Sequence, residues 1–160
     1  MLKTTTGTVR AVYSRPDGVA FVIGFYLLMG ISFLLGVIFM ITSVVSMAWY
    51  MAAGNHFYTS GLVMLLIMVA AGALVGAWMV MCALGLWANQ PSSRSSTLVL
   101  SGLMTAVSLL SIPALKIAYA DGSKLGASLI LLAFGIAACN ALVGWYLTRA
   151  EVKRYFETLD

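Results

Sequence analysis

The amino-acid sequence predicts an all-α fold: an integral membrane antiparallel four-helix bundle with short loops and an amphipathic cytoplasmic C-terminal tail. Of its 160 residues, 62% are hydrophobic and 9% are charged, whereas a typical soluble domain has about 25% charged residues. No Lys, Arg, Asp or Glu lies within residues 19–53 or 54–93. Uncharged apolar runs of that length are typical of membrane-spanning helices. Ten-residue segments of alternating polarity are not seen, which argues against a membrane β-barrel.

The apolar runs predict four membrane spans within a transmembrane domain of residues 19–148. Their bounds are about 19–47, 58–86, 97–119 and 125–148. The connections between them are short, and short connections favour an up-down-up-down bundle. Pro91 is expected to end the second span, with Ser95 or Ser96 capping the third.

The segments outside the spans are an N-terminal segment of residues 1–18 and a tail of residues 149–160. The positive charges are distributed unequally between the two sides of the predicted membrane. Those on the side of the two termini are Lys3, Arg10, Arg15, Arg94, Arg149, Lys153 and Arg154. Only Lys116 and Lys124 fall on the other side, so the positive-inside rule places both termini in the cytoplasm. The net charge of +4 therefore sets topology and attracts membrane lipids; it does not indicate a nucleic-acid partner.

The tail carries apolar residues at helical spacing. Val152, Tyr155, Phe156 and Leu159 share one face, which is typical of an amphipathic helix that continues the fourth span and lies in the membrane interface. The expected cytoplasmic anchor consists of Arg149, Lys153, Arg154, Tyr155 and Phe156. An ordinary charged helix end, whose side chains snorkel and stop the span, fits the pattern equally well.

Residue types that carry catalysis or bind metals are scarce in the predicted spans. No Asp, Glu, Lys, Arg or His lies at mid-membrane depth, where such residues usually mark a functional site. The single histidine, His56, falls in an exterior turn without neighbouring ligands. Cys82 and Cys139 lie inside spans and are expected to be inert thiols. We therefore expect no catalytic residues, no cofactor and no metal, and a protein that is not an enzyme.

One strongly polar side chain, Asn140, lies near the middle of the fourth span and needs a hydrogen-bond partner there. Ser108 or Ser111 of the third span, or a helix from another chain, is the expected partner. Structural bonding between helices is the favoured role, and lining a pore is the alternative.

Small residues on the second and fourth spans predict close helix packing. The second span contains a GxxxG sequence, and the fourth carries several small residues at helical spacing. The expected helix-packing residues are Gly72, Gly76, Gly135, Cys139, Asn140 and Gly144. The sequence leaves open whether they pack within one chain or between chains.

Two short segments at the ends of the sequence are distinctive. Arg15-Pro16-Asp17-Gly18-Val19 leads into the first span, and "WYLTRAEVKRYF" leaves the last. They resemble a loose group of small, uncharacterised prokaryotic four-span membrane proteins with an RPxGV-like start and a YLxRxEVKxYF-like tail. The resemblance implies four spans with cytoplasmic ends in a bacterial or archaeal cell (inner, cytoplasmic) membrane. It carries over no catalytic or binding residues.

Two functions fit these observations. The first is a non-catalytic accessory or structural subunit that stabilises a larger membrane complex, of respiratory or other energy-converting type, with other membrane subunits or copies of itself as partners. The alternative is a self-assembling channel or carrier for a neutral or small solute. Its polar path would follow Thr105, Ser108, Ser111 and Asn140. An enzyme subunit that borrows a partner's cofactor ranks third.

Overall fold

The computed structural model describes residues 16–54, 59–119 and 124–157. These residues form five helices and no strand: α1 (Asp17–Ala52), α2 (Thr59–Trp87), α3 (Pro91–Ala118), α4 (Lys124–Thr148) and α5 (Ala150–Glu157). Helices α1 to α4 are long and apolar enough to cross a membrane, which confirms the prediction of four long apolar helices. The predictions made for residues 1–15, His56 and Leu159 lie outside the described residues.

The boundary between α2 and α3 differs from the prediction. Pro91 begins α3 instead of only ending α2, because the first position of a helix does not need a backbone N–H donor. The residue at the N-cap of α3 is Gln90. Ser95 and Ser96, which were expected to cap the helix, lie inside it. Two residues beyond the end of α2, Asn89 adopts the left-handed conformation at φ 56°. The Gln90 N–H donates to the Gly85 carbonyl at 2.9 Å, the pattern of a Schellman motif.

The long helices associate as two hairpins, α1 with α2 and α3 with α4. A methyl group placed on Gly72 of α2 would lie 3.0 Å from Val37 Cγ2 of α1. Further along, one placed on Gly61 would lie 3.8 Å from Met47 Cε. The contact between α1 and α2 therefore extends along most of both helices, whereas α2 and α3 contact each other over a shorter stretch.

The hydrophobic core lies where α1 begins, α2 ends, α3 begins and α4 ends. We call this region the joined end. Side chains with no exposed surface come from each helix there, among them Val19, Leu86, Leu100 and Leu147. No described residue of α1 beyond Gly30 is buried. The two hairpins are thus held together at the joined end and separate from each other towards the opposite end.

The outer surface of the four long helices is apolar. Phe39 is 76% exposed, Leu110 73% and Leu131 72%. The interior contains polar residues, including Thr97 and Asn140, which are fully buried. Soluble proteins rarely expose such large apolar surfaces. This distribution, together with the four long apolar helices, suggests a multi-pass membrane protein.

Helix α5 does not continue α4, because the chain bends at Arg149. Its apolar face packs against the joined end, where Val152, Tyr155 and Phe156 are 1%, 6% and 2% exposed. Lys153 remains at the surface, where its Nζ lies 3.6 Å from Glu157 Oε1. The two aromatic residues expected to anchor the tail in the membrane interface therefore contact the protein itself. The three basic members of that expected set are exposed.

Candidate functional site

Buried polar side chains from all four long helices meet near the joined end. Tyr26 of α1 donates its hydroxyl to Asn140 Oδ1 of α4 at 3.2 Å, and Ser101 of α3 lies beside the same hydroxyl. Cys82 of α2 lies next to Tyr26 and within hydrogen-bonding reach of Thr97 of α3. We call these five residues the polar junction. It is the most distinctive chemical feature inside the described part of the protein.

The hydrogen bonds of the polar junction are satisfied within the chain. Asn140 Nδ2 donates to the Ile136 carbonyl at 2.9 Å, one turn earlier in α4. Thr97 Oγ1 donates to the Ser93 carbonyl at 2.7 Å in the same way. Among the described residues, no buried side-chain nitrogen or oxygen lacks a hydrogen-bond partner. Fully bonded polar networks in a low-dielectric interior rigidify a core, so the junction fixes how the two hairpins meet.

The hydrogen-bond partner of Asn140 is Tyr26, not one of the two serines expected from the sequence. Ser111 Oγ donates to the Ser108 carbonyl at 2.7 Å within α3, and Thr105 Oγ1 donates to the Ser101 carbonyl at 2.8 Å. Three of the four residues of the predicted polar path, Thr105, Ser111 and Asn140, thus donate to backbone carbonyls of their own helices.

The predicted helix-packing residues divide into two groups. Gly72 and Gly76 lie where α1 and α2 approach closely, and a methyl group on Gly144 would lie 3.0 Å from Ser101 Oγ. A methyl group on Gly135 would meet nothing within 4 Å, and Cys139 is exposed. The first group packs within one chain, and the second faces outwards on α4.

The two segments that carry the sequence resemblance contact each other at the joined end. The Tyr146 ring lies against Gly18 at the start of α1. Arg94 Nε donates to the Leu147 carbonyl in the last turn of α4 at 3.0 Å, where a cation also offsets the negative end of the helix dipole. Tyr155 donates its hydroxyl to Asn89 Oδ1 at 3.0 Å. These contacts give Gly18, Tyr146 and Tyr155 of the two segments a structural role.

A wide apolar groove separates the hairpins beyond the polar junction. Its cavity of about 550 Å³ is open to the outside of the bundle and is lined by α1, α2 and α3. Lining residues include Met29, Gly36, Met40, Met68 and Leu103. A methyl group on Gly36 would meet nothing within 4 Å, so the groove has free space at this position. We call it the lateral groove.

Within the described residues, no group of three or more His, Cys, Asp or Glu side chains could hold a metal ion.

No protein-family model, curated protein or solved structure matches the chain. The fold and these sites define a helical protein with four candidate membrane spans, a bonded polar junction and a lateral groove.

The bond between Tyr26 and Asn140 can be measured with a double-mutant cycle. Tyr26→Phe and Asn140→Leu each remove one partner, and the coupling between them is expected at about 0.6–2 kcal/mol, as for hydrogen bonds between membrane helices. Thermal unfolding of the four proteins in mild detergent provides the measurement. Ser128→Ala is the control, because the exposed Ser128 hydroxyl bonds only within α4. Strictly additive effects of the two substitutions would contradict the assignment.

Proposed function

We propose that the protein is a small, non-catalytic accessory subunit that stabilises a larger membrane complex, of respiratory or other energy-converting type. The lateral groove is the observation that carries this proposal. Because α1, α2 and α3 leave the groove open, it presents an apolar surface between the hairpins that another helix can occupy. Its occupant is a transmembrane helix of a partner subunit.

The chemistry of the groove supports a helix as the occupant. Helix–helix interfaces in membranes are enriched in small residues that let backbones approach closely, and Gly36, Ala71 and Gly72 line the groove. Methionines supply the flexible part of the wall through Met29 and Met40. Methionine adapts to irregular partner surfaces.

The proposed placement is an antiparallel bundle in the cell membrane with both termini in the cytoplasm. The contacts along α1 and α2 support it, since Gly30 of α1 meets Met79 of α2, whereas Met47, later in α1, meets Gly61 near the start of α2. The basic residues at the joined end, Arg94 and Arg149, support a cytoplasmic location for that end. An alkaline phosphatase fusion after Glu157 is expected to be inactive and one at Gly54 active; the reverse result would contradict this topology.

The accessory-subunit proposal predicts that filling the groove releases the partner. Gly36→Leu is expected to abolish co-purification of the partner subunit, because its side chain fills the groove. The protein should stay folded, since that side chain enters open space and leucine is a better helix former than glycine. Gly24→Leu is the matched control, since Gly24 is also exposed on α1 with nothing within 4 Å but does not line the groove.

The measurement is native mass spectrometry after gentle extraction of the natively expressed protein. We expect the 17.0 kDa chain with identified polypeptides at fixed stoichiometry, and the Gly36→Leu chain alone. A stable wild-type monomer without partners would contradict the proposal.

The second proposal is a self-assembling channel or carrier, and one observation favours it. Four hydroxyl-bearing residues of α1, Thr42, Ser43, Ser46 and Tyr50, line a surface cavity of about 330 Å³ together with Met47. Several copies of the chain could enclose such a polar surface. Native mass spectrometry would then show only multiples of the chain, and proteoliposomes would show solute flux that the Ser43→Leu and Ser46→Leu variants reduce.

A further inference from the structure

A second apolar cavity lies between the start of α1 and the end of α4. It has a volume of about 320 Å³, and its walls include Phe21, Phe25, Cys139, Trp145 and Tyr146. We call it the aromatic pocket. Phe21 is 72% exposed and Trp145 is 58% exposed, so the pocket opens onto the outer surface at the joined end. Phe21 and Trp145 are thus exposed aromatic residues at the joined end, unlike Tyr155 and Phe156.

Charged groups of both signs surround one side of this pocket. The Arg149 guanidinium lies 4.1 Å from the centre of the Trp145 ring, in a cation–π contact. Asp17 directly precedes Gly18, whose backbone lies against the Tyr146 ring. Glu151 lies in the first turn of α5, two residues after Arg149. Arg149, Asp17 and Glu151 are all exposed. One cation and two carboxylates therefore lie beside the residues that open the pocket to the surface, and we call this side its mouth.

We propose that the aromatic pocket holds one acyl chain of a zwitterionic aminophospholipid, with its phosphate on Arg149 and its ammonium group on Asp17 and Glu151. The proposal rests on the membrane placement proposed above but does not depend on a partner subunit. The apolar walls accept the chain, and tryptophan and arginine at the mouth suit the headgroup level of a membrane.

The headgroup chemistry follows from the charges at the mouth. A purely anionic headgroup would be attracted by Arg149 and repelled by the two carboxylates. A choline headgroup carries the required positive charge but has no N–H to donate to a carboxylate. A primary ammonium group donates charge-assisted hydrogen bonds, which are the stronger kind. The pocket should therefore distinguish ethanolamine from choline and from glycerol headgroups.

The test uses the fluorescence of Trp145 in a variant carrying Trp49→Phe, Trp78→Phe and Trp87→Phe. The full chain is reconstituted in phosphatidylcholine vesicles with increasing fractions of lipid brominated on its acyl chains. Bromine quenches tryptophan on contact, so quenching reports how often the labelled lipid occupies the pocket. We expect half-maximal quenching with brominated phosphatidylethanolamine at about a threefold lower fraction than with brominated phosphatidylcholine or phosphatidylglycerol, within the range of exposed ion pairs.

Matched variants separate headgroup recognition from chain binding. The Asp17→Asn and Glu151→Gln double variant should bring phosphatidylethanolamine to the level of phosphatidylcholine. Glu157→Gln is the same type of change in the same helix. It should leave the preference for phosphatidylethanolamine unchanged, because Glu157 faces Lys153. Cys139→Leu fills the pocket and should weaken quenching by every lipid. Gly135→Leu, one turn earlier on the exposed face of α4, is the control and should leave quenching unchanged.

Equal quenching by phosphatidylethanolamine and phosphatidylcholine would overturn the proposal, as would stronger quenching by phosphatidylglycerol. So would an unchanged headgroup preference in the double variant. If the chain failed to float with the vesicles in a density gradient, the membrane placement on which the proposal rests would be overturned. If native mass spectrometry found no partner subunit, the expected headgroup preference would be unaffected.

Discussion

Phe156→Ala is expected to lower the free energy of unfolding by about 3–5 kcal/mol, the usual cost of emptying a buried phenylalanine site. Phe156 is 2% exposed and belongs to the core cluster at the joined end. Helix α5 lies beyond the four candidate spans, so burial of its apolar face removes surface from water. The hydrophobic effect therefore acts fully on this contact.

Trypsin provides the measurement for this variant, because Lys153 and Arg154 are exposed cleavage sites on α5. When α5 detaches, its backbone becomes extended and cleavage should accelerate by orders of magnitude. Glu151→Ala is the control, since an exposed substitution in the same helix usually changes stability by less than about 0.5 kcal/mol. Equal cleavage rates for Phe156→Ala and the wild type would contradict the packing of α5 described above.

Gly76→Leu is expected to destabilise the α1–α2 hairpin by about 3 kcal/mol, at the upper end of typical overpacking costs. Even a methyl group at Gly76 would lie 3.1 Å from Leu34 Cγ and Phe33 Cβ, and 3.2 Å from the Gly30 carbonyl oxygen. Two of these three atoms cannot move without shifting the α1 backbone. A leucine side chain would force the helices apart.

Circular dichroism during thermal unfolding in detergent measures the loss of stability caused by Gly76→Leu. Gly102→Leu is the matched control, since Gly102 is exposed on α3 with nothing within 4 Å of its missing methyl. That variant should match or exceed wild-type stability, because glycine is a poor helix former. If Gly76→Leu unfolded at the wild-type temperature, the close approach at this crossing would be refuted.

The four long helices were predictable because uncharged apolar runs signal their length directly. Which side of each helix faces inwards was not predictable, because a helix that is apolar all round has no periodic stripe. Two aromatics in the first turns of α1 show the difficulty: Tyr26 is fully buried, whereas Phe21 is 72% exposed. The sequence therefore pointed to Asn140 but could not identify Tyr26 as its partner.

The ends of the helices show a different limit. Proline was expected to end α2, but the same missing N–H also suits the first position of a helix, and Pro91 occupies that position. The spacing of Val152, Tyr155 and Phe156 correctly predicted a helix with an apolar face. It could not distinguish a lipid surface from a protein surface as the partner of that face, because both are apolar.

The position of α5 also has a consequence for biosynthesis. Each hairpin brings together helices that are neighbours in the sequence, so it can form as soon as its second helix has been synthesised. The joined end needs Phe156 and Tyr155, which the ribosome adds after all four spans. The core of the joined end is therefore complete only after translation has passed α5. Until then, the part of this core to which Tyr155 and Phe156 belong is unfilled, so a chain that stops before α5 has an incomplete joined end.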